Sequence, residues 1–350
     1  MIPFITAKPR VKYPLQRLVE GDEFKGDYIT LGKVINTVPA VEARLPLDSL
    51  NRHILIIGAT GTGKSYTASR IALRTSLKGI PVLVFDWHGE YGEVLEESVS
   101  INPFEKPVEL LGSRDIRVDA EVLTDVLGLT PPQEYLLWKI LSEKGERVDS
   151  VESLIRAIES HYDEAGWVRE ARLSLYRKIK ILAVNPYLKL FEGGNEGFLE
   201  ELTPGKPVLI DLSLIRNTTV RRTYGTLLLA RLINRNYGLR RKYLVLLEEA
   251  HNYLGRENPI WFLARMMGEI RKNNIGFCVI TQSPSLITDH VLVNTNTKIV
   301  HSVKASIDLE LVSRSLFVEQ EIARILPYLS VGEALLYNPV LKKPLLIRIE

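Results

Sequence analysis

The sequence Gly58-Ala59-Thr60-Gly61-Thr62-Gly63-Lys64-Ser65 decides the fold of this chain. It matches the pattern G-x-x-x-x-G-K-[ST], and it lies between an apolar run at residues 53–57 and a helix-like stretch at residues 66–73. The glycines let backbone N–H groups approach phosphate without a Cβ in the way. The N-terminus of the following helix adds the positive end of its dipole. The pattern therefore predicts a P-loop that binds a nucleoside triphosphate with Mg²⁺.

Each residue of this loop has an expected task. The Lys64 ammonium is expected to reach the β- and γ-phosphates, and the Ser65 hydroxyl to bind Mg²⁺. The predicted nucleotide-binding residues of the loop are Gly58, Ala59, Thr60, Gly61, Thr62, Gly63, Lys64, Ser65 and Tyr66.

The composition narrows the class of protein. The chain has 350 residues, 45% hydrophobic and 25% charged, as in an ordinary globular protein. A net charge of +3 is too small to indicate a nucleic-acid partner by itself. The single cysteine, Cys278, excludes an intramolecular disulfide. No run reaches the roughly 18 apolar residues that a membrane span needs, and no signal-peptide pattern is present, so we expect a cytoplasmic protein.

Short apolar runs separated by helical stretches indicate a parallel sheet covered on both faces. These runs lie at residues 81–86, 207–211, 243–247, 276–281 and 298–300. They predict the α/β class, with a mainly parallel sheet and helices on both faces. The predicted organisation is a short β-rich N-terminal extension (1–48), a first part of the core (49–118), a helical insertion (119–205) and a second part of the core (206–350).

The second half of a P-loop active site is predicted from two strand ends. The buried strand at residues 243–247 is followed by Glu248 and Glu249, which we assign to the Mg²⁺ shell and to activation of the attacking water. The strand at residues 276–281 ends before Gln282, which is placed to contact the γ-phosphate or the water.

A third strand end carries the segment Asp86-Trp87-His88-Gly89-Glu90-Tyr91. Open α/β sheets bind ligands at the carboxyl ends of their strands, so we expect Asp86 and His88 to contact the nucleotide. Local packing is the alternative interpretation for Trp87 and His88.

Together, these motifs resemble those of the HerA/FtsK superfamily, and segment 86–91 brings the chain closest to the HerA branch. The resemblance also includes Glu248-Glu249-Ala250-His251, Arg271-Lys272, residues 281–285 and residues 332–335. It implies a RecA-like ATPase of the ASCE type that forms a ring, expected to be a hexamer, and hydrolyses ATP to move double-stranded DNA through a central pore. It further implies DNA repair by end processing with a nuclease partner of the NurA type.

The resemblance also implies that Arg271 acts as a catalytic residue on the ATP held by the neighbouring subunit. The alternative is that Arg271 and Lys272 only cap the C-terminus of a helix, where cations are favoured. The chain departs from the family pattern at Glu248, where aspartate is commoner, and at Ser283 and Ser302, where relatives often carry arginine.

Three basic clusters are candidates for DNA contact: residues 177–180, 216–222 and 235–242. We favour the second as a pore loop, with Arg216, Arg221 and Arg222 contacting phosphate, because it follows the carboxyl end of a predicted parallel strand. Ordinary exposed surface is the alternative for each cluster.

Other functions remain open at this point. A secretion, conjugation or viral genome-packaging ATPase of the same superfamily would carry the same motifs. A non-motor nucleotide switch or a small-molecule kinase is the third possibility. The adjacent Glu248 and Glu249 and the candidate Arg271 favour hydrolysis over a switch.

Overall fold

The computed structural model describes residues 26–112, 115–144, 148–162, 165–193, 202–316, 320–341 and 343–350. Eleven strands of this described part form one sheet, in the order β2-β1-β11-β10-β9-β3-β8-β7-β4-β6-β5. The strands are β1 Tyr28–Val34, β2 Glu42–Pro46, β3 Ile54–Ile57, β4 Val82–Asp86, β5 Val99–Ile101, β6 Val208–Asp211, β7 Tyr243–Leu247, β8 Ile275–Thr281, β9 Thr297–Val300, β10 Glu333–Tyr337 and β11 Leu345–Ile349.

The sheet has a parallel and an antiparallel part. The seven strands from β9 to β5 pair in parallel, and β10, β11, β1 and β2 continue the sheet in antiparallel pairs. Every residue of β3, β4 and β8 is buried, because helices cover both faces of the parallel part. The prediction of an α/β fold with a mainly parallel sheet is confirmed.

The helices lie between these strands. Those of the described residues are α1 Lys64–Leu77, α2 Tyr91–Val94, α3 Ile116–Leu127, α4 Pro131–Lys144, α5 Val151–Ser160, α6 Gly166–Lys180, α7 Thr218–Leu239, α8 His251–Leu254, α9 Trp261–Glu269, α10 Asp289–Asn294, α11 Ser306–Leu316 and α12 Gln320–Ile325.

The segment predicted as a helical insertion does contain helices, α3 to α6. Their apolar residues, such as Leu137 on α4 and Leu154 on α5, belong to the same buried cluster as Phe85 of β4. Helix α5 begins with a capping box, in which Ser150 and Ser153 each accept from the other's backbone N–H. The insertion therefore packs into the main core on one face of the sheet, and its exact boundaries stay a prediction.

The predicted N-terminal extension is described only from residue 26 onwards; residues 1–25 lie outside the described part. Its strands β1 and β2 pair with each other, and β1 pairs with β11 near the C-terminal end of the chain. The extension thus enlarges the central sheet. None of the described helices is both long and apolar enough to cross a lipid bilayer.

Candidate active site

The P-loop connects β3 to α1 and is held by hydrogen bonds between its own residues. Gly61 and Gly63 have φ values of +75° and +104°, and Gly63 is the N-cap of α1. The Thr62 hydroxyl and the Lys64 Nζ both donate to the carbonyl of Ala59, at 2.7 and 3.1 Å. A cavity of about 480 Å³ opens above this loop, large enough for a nucleotide.

The cavity brings together most of the predicted site residues. Its lining residues are Thr60, Gly61, Gly63, Lys64, Ser65, Tyr66, His88, Glu90, Glu248, Glu249, Ile280, Gln282 and Val331. Burial lowers the pKa of Lys64, and the carboxylates of Glu249 and Glu248 oppose that effect. The cavity therefore has a cationic side chain at the P-loop and two carboxylates opposite it.

Gln282 joins the P-loop to the second glutamate. The Thr60 hydroxyl donates to Gln282 Oε1 at 3.1 Å, and Gln282 Nε2 donates to Glu249 Oε1 at 2.6 Å. These residues follow β3, β8 and β7, which are neighbours in the sheet. The P-loop, the glutamate and the glutamine thus converge in the folded chain, as the sequence predicts.

Glu249 is held in an unusual backbone conformation and surrounded by donors. It has a φ of +43°, a region that non-glycine residues seldom occupy outside functional sites. Its Oε2 lies 3.1 Å from Nδ1 of His251, and its Oε1 lies 3.9 Å from Nε2 of His88. Burial alone would raise the pKa of Glu249, but the side chains of His251, Gln282 and His88 lower it below the usual value. These neighbouring side chains therefore favour the ionised form of the Glu249 carboxyl group.

Glu248 is placed by the segment after β4. Its Oε2 accepts from the backbone N–H of Trp87 at 2.8 Å and of His88 at 3.2 Å. Burial, together with the neighbouring carboxylate of Asp86, raises the pKa of Glu248 to about 8. The site therefore holds two close, buried carboxylates.

Asp86 shapes this segment. Its two oxygens accept from the backbone N–H groups of Gly89, Glu90 and Tyr91. Asp86 does not line the cavity, whereas His88 does. The structure thus places His88 at the cavity and Asp86 beside Glu248, and contact of either residue with the nucleotide stays a prediction.

The residues fit a magnesium ion. Burial and the neighbouring Asp86 disfavour the ionised form of Glu248, and a divalent cation bound there would favour it. Ser65 supplies a hydroxyl oxygen at the start of α1, and the buried Tyr91 hydroxyl lies near Ser65 and Glu248. The described residues include no cluster of three or more His, Cys, Asp or Glu ligands. Mg²⁺ keeps several waters and binds phosphate oxygens, so one hydroxyl and one carboxylate are enough protein ligands for it.

Within one subunit, the backbone of Arg271 lies far from this cavity. Its backbone belongs to the 3-10 turn Ile270–Asn273 before β8, whereas Gln282 follows the other end of that strand. A strand of this length spans about 23 Å. The side chain of Arg271 lies outside the described part, so its catalytic role stays a prediction.

The three predicted DNA-binding arginines differ. Arg216 is exposed in the loop between β6 and α7. Arg221 donates to the carbonyls of Ile215, Trp87 and Ser213, at 2.7, 3.0 and 3.4 Å. Arg222 donates to the carbonyl of Asn258 at 2.9 Å. The guanidinium groups of Arg221 and Arg222 therefore bind this chain's own backbone.

Sequence reasoning missed two residues that only the fold brings to the P-loop. His301 is fully buried, and its Nδ1 lies 3.0 Å from the carbonyl of Glu333 while its Nε2 lies 2.9 Å from the Thr67 hydroxyl. Val331 lines the cavity from the turn before β10. Both lie more than 200 residues from the P-loop along the chain, and the sequence signals nearest to them are Ser302 and residues 332–335.

Comparisons with known proteins agree with this geometry. Residues 29–232 match the family described as "Helicase HerA, central domain". The chain is 23% identical to the DNA double-strand break repair helicase HerA of Saccharolobus solfataricus over 95% of this chain and 72% of the relative. It is 27% identical to the corresponding protein of Sulfurisphaera tokodaii over 93% of this chain and 70% of the relative.

A solved structure shows the same fold. The VirB4 structure of Thermoanaerobacter pseudethanolicus superposes with a TM-score of 0.73 at 20% identity, covering 93% of this chain and 97% of the other. The family match covers more than half of the chain, and the chain belongs to the HerA central-domain family of P-loop ATPases.

Proposed function

We propose that this member of the HerA family hydrolyses ATP and uses the free energy to move double-stranded DNA. The observation that carries the proposal is the hydrogen-bonded path from Thr60 through Gln282 to Glu249. It links the phosphate-binding loop to the candidate base. Loss of the terminal phosphate would therefore alter the hydrogen bonds that reach the Glu249 carboxylate. A nucleotide-binding module without turnover has no need of this link.

The proposed hydrolysis uses the chain's own groups. Lys64 and the backbone N–H groups of the P-loop hold the triphosphate, and Gln282 orients a water beside it. Glu249 accepts a proton from that water as its oxygen bonds to the γ-phosphorus. The bond to the β–γ bridging oxygen breaks, which gives ADP and phosphate. When bound by Ser65 and Glu248, Mg²⁺ would neutralise charge on the phosphates.

The DNA part of the proposal rests on the relatives and on one loop. Proteins named DNA double-strand break repair helicase cover nearly all of this chain. The loop at residues 212–217 leaves the same sheet edge as the nucleotide cavity, because β6 is parallel to β4, and it carries the exposed Arg216. A ring of six subunits would place six such loops around a pore, where arginine contacts phosphate without reading sequence.

Three further parts belong to the same proposal. Arg271 acts on the ATP of a neighbouring subunit in a ring-shaped homo-oligomer. The DNA is duplex rather than single-stranded. The motor works in end processing with a separate nuclease.

The test is the rate of ATP hydrolysis with and without DNA. We expect duplex DNA to raise the turnover of the wild-type chain, regardless of sequence, and to do nothing for Glu249→Gln. Glu257→Gln, at an exposed glutamate of the same region, serves as the matched control and should behave like the wild type. Stimulation by single-stranded DNA alone would indicate that the substrate is single-stranded and not duplex DNA. Turnover that no nucleic acid affects would favour a secretion ATPase.

A further inference from the structure

The turn before β10 lies against the P-loop. The backbone N–H of Gly332 donates to the carbonyl of Thr62 at 3.1 Å. A Cβ added to Gly63 would meet the Gly332 nitrogen at 3.1 Å, so the two backbones are in direct contact. A segment almost 270 residues further along the chain thus forms part of the nucleotide cavity.

This turn is held in one conformation. The backbone N–H of Glu333 donates to the carbonyl of Ser330 at 3.0 Å, which closes a β-turn with Val331 and Gly332 at its centre. Gly332 has a φ of +80°, as the third position of a type II turn requires. The buried Glu333 carboxylate accepts from Ser330 N–H and from Arg348, and Ile349 N–H donates to the Gly332 carbonyl. Val331 is therefore presented on a rigid support.

Val331 is an apolar residue in a place where polar residues are usual. Its side chain is 72% exposed at the tip of the turn, yet it lines the cavity. Tyr66, 36% exposed in the first turn of α1, lines the same cavity. The Arg70 guanidinium lies 4.7 Å from the centre of that ring and supports it by a cation–π contact.

The position of the carboxylates orients the nucleotide. Strands β7 and β8 lie on one side of β3 in the sheet, and β9 and β10 lie on the other. Glu248, Glu249 and Gln282 follow β7 and β8, so the γ-phosphate belongs on that side. A triphosphate that lies along the P-loop then directs its ribose and base to the opposite side, where β10 and the turn that carries Val331 lie.

Resting on the proposed function, we infer that Tyr66 and Val331 form a slot for the purine base. An aromatic ring and an apolar side chain contact the faces of a base and do not read its edges. In the described part of the chain, the carboxylates and Gln282 that line the cavity belong to its phosphate end. A site without hydrogen bonds to the base edge does not reject the other purine strongly. The slot therefore accepts ATP and GTP alike.

The experiment compares dissociation constants for Mg²⁺ complexes of ATP, GTP and inorganic tripolyphosphate, measured by calorimetry. We expect ATP and GTP to bind the wild-type chain within about 5-fold of each other. Tyr66→Ala should weaken both by about 10-fold and Val331→Ala by about 3-fold. Tripolyphosphate, which has no base, should bind both variants within about 2-fold of the wild type.

Val293→Ala, at a 78% exposed valine on α10, is the control for loss of an exposed valine and should change nothing. Unchanged ATP affinity in both slot variants would overturn the inference, as would an equal loss of ATP and tripolyphosphate, which would indicate a distorted P-loop. A wild-type preference of more than 100-fold for one purine would overturn the base tolerance. A wild-type chain that binds none of the three probes would instead overturn the proposed function itself.

Discussion

The guanidinium of Arg221 donates a hydrogen bond of 3.0 Å to the backbone carbonyl of Trp87 and lies 4.6 Å from the centre of the Trp87 ring. The N–H of the same Trp87 donates to Glu248. Arg221 also binds the carbonyls of Ser213 and Ile215 in the loop at residues 212–217. One side chain thus connects the metal-side carboxylate to the loop proposed to contact DNA.

The structure gives Arg216 and Arg221 different surroundings, although the sequence predicts DNA contact for both. We expect Arg216→Ala to reduce the slope of log affinity for DNA against log salt by about 1, because one phosphate contact is lost. Arg221→Lys should leave that slope unchanged but lower the free energy of unfolding by about 1–2 kcal/mol, since a lysine cannot serve three carbonyls in this geometry. Salt titrations and urea unfolding of both variants measure the two effects. The reverse pattern would return Arg221 to the DNA surface.

The roles of Lys64 and Glu249 are expected to differ in kind. Lys64→Ala should weaken nucleotide binding and hydrolysis together, because Lys64 meets phosphate in the ground state and the transition state. Glu249→Gln should keep nucleotide binding and lose about 10²- to 10⁴-fold in turnover, as removal of a general base does. Nucleotide affinity and steady-state turnover separate the two. Wild-type turnover in Glu249→Gln would move the base to another residue.

A shared active site predicts complementation between subunits. Arg271→Ala is expected to keep assembly and nucleotide binding and to lose turnover, because such an arginine contributes about 10³- to 10⁵-fold. Mixing Arg271→Ala with Lys64→Ala subunits should restore part of the activity, since some interfaces then pair an intact P-loop with an intact arginine. Full activity of Arg271→Ala alone would exclude this residue. Arg265 and Arg314, which pair with Glu121 and Glu310, would be tested next.

His301 predicts a loss of stability in acid. Burial lowers the pKa of His301 to about 4, so the unfolded chain binds one more proton than the folded chain between that value and about 6.5. The contribution of His301 to the free energy of unfolding is complete above pH 6.5. It falls by about 3 kcal/mol as the pH decreases to 4, because the unfolded chain then gains a proton that the folded chain does not.

His301→Gln, which carries no titrating group, should lack this component. Urea unfolding at several pH values between 4 and 7.5 gives the difference between the two proteins. Parallel curves for the variant and the wild type would contradict the prediction.

Two buried tyrosines test the metal side of the cavity. Tyr91 and Tyr253 are both fully buried, but the Tyr91 hydroxyl lies near Ser65 and Glu248, whereas the Tyr253 hydroxyl has no hydrogen-bond partner in the described part of the chain. Tyr91→Phe should raise the Mg²⁺ concentration needed for nucleotide binding several-fold, because outer-shell partners orient metal ligands. Tyr253→Phe should leave that requirement unchanged and stabilise the chain by about 1 kcal/mol, since it removes an unpaired polar group. Equal Mg²⁺ requirements in both variants would remove Tyr91 from the site.

Much of the fold followed from local pattern. The strands β3, β4, β6, β7, β8 and β9 match apolar runs, because a strand buried on both faces must be apolar throughout. The antiparallel part of the sheet gave a weaker signal in the sequence. Strand β1 pairs with β11 more than 300 residues away, and no local pattern encodes a partner at that distance. Strand β5 has only three residues, two of them exposed, and so gives almost no apolar signal.

The sequence by itself determined the chemistry of this protein: a P-loop, two carboxylates and a glutamine at the ends of neighbouring strands. The spacing of the glycines and the acidic residues after an apolar run are local patterns in the sequence. Few structures other than a P-loop active site account for them. Only the tertiary structure decided how side chains are used. It directed Arg221 to backbone carbonyls and buried His301 behind the P-loop. It also brought Val331 to the nucleotide cavity. These contacts join residues that are remote along the chain, and their geometry depends on the order of strands in the sheet, which no single segment contains.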